Sequence, residues 1–236
     1  MVRGAVKRKP PRLPPDKFAA RRAELAEAAL KTLADLGYAR TSLREIAQNS
    51  RFSHGVLHYY FSDKMDLIAY CVRDYKAKCV KRYDQIVDDA TSYSELVDKF
   101  MTAMAKTLRD DAQVHRLWYD LRSQALFEDC FRSDVQEIDK SLEDMIWRIT
   151  SRAFELKGMQ PTLSSPLIYA TFDGLFQSAL LRYLAGDLKA VANMQSNMIK
   201  FLEALGAAAK RRAAFGRPRP RTNLRRSVNR NNARSA

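Results

Sequence analysis

The chain has 236 residues, 46% of them hydrophobic, and a formal net charge of +14, which suits one compact domain or two small ones with a sizeable core. The charge sits at the ends: residues 1–22 hold eight Lys/Arg against one Asp and residues 209–236 hold ten and no acid, so the 186 residues between them carry −3. This excludes a uniformly basic architectural protein, and the most apolar stretch, 167–184, is broken by Asp173, Gln177 and Arg182, which argues against a membrane span.

Residues 1–17, with Pro10-Pro11 and Pro14-Pro15 among basic residues, are expected to form a disordered arm. The arm lacks the apolar core of a signal peptide. Cys71, Cys79 and Cys130 match no disulfide or zinc spacing, so a reduced cytoplasmic compartment is expected, with no metal and no cofactor. A first helix is predicted over 18–36, with Leu25, Ala29 and Leu33 on one face and Gly37 ending it.

Ser42 followed by Glu45 is a capping box that opens a second helix on Leu43, Ile46 and Ala47. After the break 49–52, Ser53 caps a third helix of about two turns, His54 to Phe61. Two short helices joined by a tight turn form the helix-turn-helix pattern, whose second helix enters the DNA major groove. Leu57 and Phe61, four apart, are the natural buried pair of that helix, which leaves His54, Val56, His58 and Tyr59 facing outward. Ser62 is expected to start the next helix, a long one, with Leu67, Ile68, Cys71, Val72, Tyr75, Cys79, Tyr83, Ile86 and Val87 at helical spacing.

Helices follow over 94–110, 111–126 and 131–156. Ser165-Pro166 begins another that ends near Gly186, and Asp187 caps a last one carrying Val191, Met194, Met198, Leu202 and Leu205. No stretch alternates like a strand, so the fold class is all-α. Domain bounds are expected at 1–17 (arm), 18–63 (reader), 64–208 (helical body) and 209–236 (disordered Arg-rich tail).

In order and spacing, Ala28-Ala29, Gly37-Tyr38, Thr41-Ser42-Leu43, Ile46-Ala47, Phe52-Ser53-His54-Gly55, Leu57, Tyr60-Phe61, Lys64 and Leu67 resemble the TetR family of bacterial transcription regulators. Asp173-Gly174-Leu175-Phe176 is more faintly similar to BetI-type C-terminal domains. Two positions depart from the family pattern: Ser50-Arg51 stands where Ala-Gly is usual, and His58 where Tyr or Ser is common. The resemblance implies an N-terminal three-helix reader and a C-terminal helical domain for ligand binding and dimerisation. It further implies a homodimer on a palindromic operator of double-stranded DNA, released when a small molecule enters the body. Repression is the expected sign of control.

On this footing the DNA-contacting candidates are Thr41, Ser42, Arg44, Ser53, His54, Gly55, Val56, His58, Tyr59 and Lys64. Base-edge contacts are assigned to His54, His58 and Val56, and a phosphate or base edge to Tyr59. Phosphate anchoring at helix N-termini is assigned to Ser42 and Lys64, with Thr41 and Arg44 as secondary candidates. The effector-pocket candidates are the bulky Phe100, Met101, Met104, Trp118, Tyr119, Phe172 and Phe176, with His115, Arg122 and Asp173 as polar handles. They favour a mostly apolar effector. Ile168, Leu175, Ala179, Met194, Met198 and Leu202 are the dimer-seam candidates. An enzyme is disfavoured: two of the three histidines lie in the reader, and no GxSxG, HExxH, P-loop or dinucleotide fingerprint is present. The competing reading is a ligand-blind DNA-organising protein that uses its basic ends.

Overall fold

Side-chain caps set the starts of four successive helices, the second to the fifth. The computed structural model describes residues 14–37 and 41–215, and among these the secondary structure is helical throughout, with no strand. Helix α1 (Pro15–Leu36) starts three residues before the sequence pattern suggested, because Pro15 stands at the first helical position, where its missing N–H costs nothing. It ends at Gly37, whose φ of 77° puts it in the left-handed region and whose N–H donates to the Leu33 carbonyl. Most of the expected basic arm, 1–13, lies outside the described residues, as does 38–40.

Helix α2 (Leu43–Gln48) carries the complete capping box, Ser42 Oγ accepting from Glu45 N–H and the Glu45 carboxylate accepting from Ser42 N–H. Helix α3 (His54–Tyr60) is capped by Ser53, whose Oγ accepts from Val56 N–H at 3.3 Å, and it ends on Phe61 in extended geometry. The Ser50-Arg51 turn is tied by side chains. Ser50 Oγ accepts from Phe52 N–H at 3.3 Å, and the Arg51 guanidinium pairs with Glu24 and lies over the Phe52 ring.

Helix α4 (Lys64–Asp89) is capped by Asp63 rather than Ser62: the Asp63 carboxylate accepts from Asp66 N–H, where an anion also meets the positive end of the helix. Ser62 instead donates its N–H to the Asp66 carboxylate. The remaining elements are α5 (Tyr93–Asp110), α6 (Ala112–Gln124), a 3-10 turn at Asp129–Phe131, α7 (Arg132–Glu155), α8 (Ser165–Leu184) and α9 (Ala190–Phe215). Ser164, not Ser165, precedes α8, so Pro166 falls at its second position. Helix α9 runs seven residues into the expected tail, since 207–214 is built from Ala, Lys and Arg, all strong helix formers. The rest of the tail, 216–236, lies outside the described residues.

In the reader, α1, α2 and α3 close on Leu25, Ala29, Leu33, Ile46, Leu57 and Phe61, all buried. Helix α4 serves both halves. Its first turns bury Leu67 and Ile68 against this core, and its later turns bury Val72, Lys76, Cys79 and Tyr83 in the body. Ion pairs hold α4 to its neighbours: Arg22 of α1 with Asp66, Arg73 with Asp134 of α7, and Asp84 with Arg148 of α7 at 2.7 Å. A second brace comes from α6, where Arg116 Nη2 donates to the Ala34 carbonyl at 2.6 Å and the Asp35 carbonyl at 3.0 Å. These are among the last carbonyls of α1, which have no partner inside their own helix.

Candidate nucleic-acid interface and ligand cavity

The short α3 has one inward side, fixed by Leu57 and the following Phe61, both fully buried. Geometry then leaves Ser53, His54, Gly55, His58 and Tyr59 exposed and Val56 half-buried. His54 and His58, one turn apart, stand with their Nε2 atoms 3.1 Å from each other and their rings edge to face. Tyr59 is braced by Tyr60 and by Phe18 near the start of α1, and Phe18 also stacks on Tyr60 at 4.8 Å. A Cβ added at Gly55 would meet open space. The fold itself therefore does not call for glycine there, which fits a surface that another backbone approaches closely.

Ser42 and Arg44 are exposed beside α3, and Lys64 opens α4 half-buried. Thr41 is a correction. It is 3% exposed and its hydroxyl donates to the Gly37 carbonyl at 2.6 Å, so it ties the α1–α2 connection and leaves the candidate surface. Sequence reasoning missed Arg21. It lies with Ser53, Gly55, Val56, Tyr59 and Tyr60 along one shallow groove, and only the packing of α1 against α3 brings it there.

A cavity of about 60 Å³ lies in the body between α4, α5, α6, α7 and α8. It has room for a few waters and is far smaller than the roughly 300–1,000 Å³ of typical ligand pockets. Of the expected lining residues, Met104, His115, Trp118, Tyr119, Phe172, Asp173 and Phe176 line it. Phe100, Met101 and Arg122 do not. Phe100 supports the wall by packing on Tyr83 and Phe172, and Met101 is core whose carbonyl accepts from Gln195. Arg122 stands behind the wall, gripping Asp173 at 2.6 Å and Asp139 at 3.4 Å. Leu142, Met145 and Ile146 of α7 and Tyr169 of α8 complete the lining, with Lys76, Cys79 and Tyr83 of α4 and Thr107 of α5.

Lys76 is the unexpected member. It is 4% exposed, its Nζ donates to His115 Nδ1 at 3.0 Å, and it lies 5.4 Å from the Trp118 ring centroid. Burial pushes its pKa down to about 8, with Arg122 adding to the fall and the carboxylates of Asp173 and Asp139 among the groups that oppose it. His115 is held well below the usual imidazole range, first by burial and then by the positive charges of Lys76 and Arg82. It is therefore neutral. With Nδ1 accepting from the ammonium, its ring proton sits on Nε2, which faces Tyr75 Oη at 3.3 Å.

The other polar groups of the wall bond among themselves. Tyr83 Oη and Thr107 Oγ1 are 2.9 Å apart, Tyr119 Oη donates to Asp173 Oδ1 at 2.9 Å, and Tyr169 Oη donates to Asp139 Oδ1 at 2.6 Å. The Trp118 indole N–H is buried with no acceptor.

The dimer-seam candidates need correction. Ile168, Ala179, Met194, Met198 and Leu202 are buried inside the protomer and Leu175 is half-buried, all of them packed in its own core. Helix α8 is apolar all round, so its periodicity cannot separate the face that packs on the protomer from a face left open. The open face is one position away: Leu167 at 51% exposure, Leu181 at 67%, and Leu188 just beyond at 91%. Gly174 lies between Leu167 and Leu181 at intervals of seven, and a Cβ there would meet nothing.

Comparison with known proteins agrees with this geometry. A profile described as "Bacterial regulatory proteins, tetR family" matches residues 25–71, the second half of α1 through the first turns of α4. A repressor from Mycolicibacterium smegmatis, the HTH-type transcriptional repressor KstR2, is 27% identical over 56% of this chain and 79% of its own length. The HTH-type transcriptional regulator PksA of Bacillus subtilis is 24% identical over 68% and 79%. Among solved structures, a TetR regulator from Haloarcula marismortui superposes with a TM-score of 0.67 at 16% identity, covering 80% of this chain and 99% of that one. The regulator FadR of Bacillus subtilis, solved with stearoyl-CoA, gives 0.61 at 16% identity, covering 76% and 96%. These proteins are transcription regulators rather than enzymes. Residues 25–71 carry the helix-turn-helix of the TetR family, and the all-helical fold is shared with solved TetR-type regulators, which supports a TetR-family transcriptional regulator.

Proposed function

We propose that the protein is a homodimeric repressor that binds a palindromic DNA operator and is released by a small, mostly apolar effector entering the cavity. The observation that carries this reading is the sharing of helices between cavity and reader. Lys76, Cys79 and Tyr83 of the cavity wall lie on α4, which runs into the reader core, and His115 and Trp118 lie on α6 beside Arg116, which holds the end of α1. A cavity of about 60 Å³ cannot admit an effector unless its walls move. Any displacement of α4 and α6 is passed to α1, and so to α3.

The effector shifts the equilibrium only by its preference for the moved state, and a hundredfold loss of operator affinity needs about 3 kcal/mol of such preference. The open α8 stripe of Leu167, Gly174 and Leu181 supports an isologous dimer. Two readers related by a two-fold axis would then meet half-sites about one helical turn, roughly 34–36 Å, apart. The repressor names of the relatives support the sign of control. No helix among the described residues is long and apolar enough to cross a membrane, and we take the cytoplasm as the working location.

The test is a footprint on DNA flanking the protein's own gene at two salt concentrations. A protected inverted repeat that survives the higher salt supports the reading. Diffuse protection that vanishes with salt supports the ligand-blind, tail-driven alternative.

A further inference from the structure

The hydrogen bonds around the cavity leave a directional deficit. Tyr119, Tyr169 and Asp173 are satisfied by one another or by Asp139 and Arg122, and the Tyr83 and Thr107 hydroxyls share one hydrogen bond. His115 is engaged at both ring nitrogens. Two nitrogen groups are left short, and both are donors: the Lys76 ammonium, which makes one hydrogen bond where it has three N–H, and the Trp118 indole N–H, which makes none. A buried donor without an acceptor is costly, and one left so at a cavity wall marks where a ligand brings the acceptor.

Charge narrows the choice of acceptor. Arg122 is gripped by both Asp139 and Asp173, whereas the contacts of Lys76 are a neutral imidazole and an aromatic face. Its positive charge has no carboxylate in direct contact among the described residues. The remaining walls are apolar, with Met104, Leu142, Met145, Ile146, Phe172 and Phe176 offering shape and little else. Methionine and aromatic edges adapt to irregular hydrocarbon.

Building on the effector-cavity reading above, we infer that the effector is an apolar molecule with a single carboxylate head, seated with its two oxygens on the Lys76 ammonium and the Trp118 indole N–H. A carboxylate matches two donor groups on one cavity wall and one positive charge. A phosphate would bring more negative charge than the single unpaired ammonium offsets.

The experiment titrates the full chain calorimetrically, near pH 7, with straight-chain acids from hexanoic to dodecanoic and with the primary alcohols of the same lengths. Wild type, Lys76→Met and Trp118→Phe are compared, and the Trp118 indole N–H is followed by nitrogen–proton NMR, assigned by its loss in Trp118→Phe. At the chain length that binds best, the acid binds about tenfold or more tighter than its alcohol. Lys76→Met removes that advantage, Trp118→Phe weakens the acid several-fold, and the alcohol is indifferent to both. The indole N–H resonance moves downfield with the acid alone.

The advantage also fades as pH rises past about 8, where Lys76 loses its proton, and this pH dependence is absent in Lys76→Met. The other groups that act on Lys76, namely Cys79 on α4, His115 and Arg122 on α6, Asp139 on α7 and Asp173 on α8, are common to both proteins. If acid and alcohol bind alike, or the acid ignores both substitutions, the head-group assignment is overturned while the cavity reading stands. If neither series binds, the cavity reading falls and takes the assignment with it.

Discussion

Replacing Lys76 by methionine should make stability respond to pH in a way no surface lysine can produce. Burial lowers the Lys76 pKa from 10.5 to about 8, a difference worth about 3 kcal/mol. Below about pH 8 the folded and unfolded chains both carry the proton, so the full penalty of burying the ammonium is present. Between about 8 and 10.5 the unfolded chain binds more protons than the folded one, so stability rises with pH until the penalty is gone.

Methionine removes the charge at similar volume, but it leaves His115 Nδ1 without its donor, a loss of about 1–3 kcal/mol. Near pH 7 the variant should therefore be as stable as wild type or up to about 2 kcal/mol more stable. From about pH 7 to 10 wild type should gain about 3 kcal/mol relative to the variant, or roughly 6–12 °C in melting temperature for a chain of this size. Urea unfolding of both proteins at one fixed concentration measures it, with titrations common to both cancelling in the difference. Parallel pH profiles would exclude a buried charge at this position, because they would mean that the ammonium reaches water in the folded state and keeps its ordinary pKa.

Three further outcomes are expected. Arg116→Ala removes the brace between α6 and the end of α1, so effector affinity should persist while the effector's power to release DNA falls several-fold; a gel-shift titration with effector measures the coupling, and unchanged release would exclude this path. Leu181→Asp puts a charge on the open α8 stripe without touching the protomer core, so the protein should sediment as a folded monomer, whereas an unaltered mass would exclude that face as the seam. Tyr59→Ala and Lys64→Ala should each weaken operator binding by about tenfold, roughly 1.4 kcal/mol, with melting temperature held within a few degrees. Unchanged affinity in both would remove them from the interface.

The parts legible in the sequence were those set by short-range spacing. Ser42 with Glu45, Ser53 ahead of His54, and Leu57 with Phe61 are local patterns, and each has its expected cap or burial in the structure. Lys76 was harder because charged residues are read as solvated. Yet Val72, Lys76, Cys79 and Tyr83 fall at intervals of four, three and four on one face, so a lysine on a buried stripe was a usable signal.

Thr41 and Arg116 could not be assigned from spacing. Their roles depend on carbonyls at the end of α1 that become free acceptors only once the helix has formed. Helix α8 misled for a different reason: with apolar residues on every side, its inward and outward faces carry the same hydrophobic signal. The difference lies in what α9 covers and what it leaves bare.

Two readers, held by one dimer, are expected to recognise two half-sites in fixed relation. The most direct measurement is selection of binding sites from random duplex DNA by the purified full-length protein, with the mass of the selected complex determined under native conditions. An enriched inverted repeat is expected, with half-sites spaced by one turn or a whole number of turns of the duplex and two chains or a multiple of two on each site. Enrichment of a lone half-site by one chain, or of no sequence at all, would contradict it.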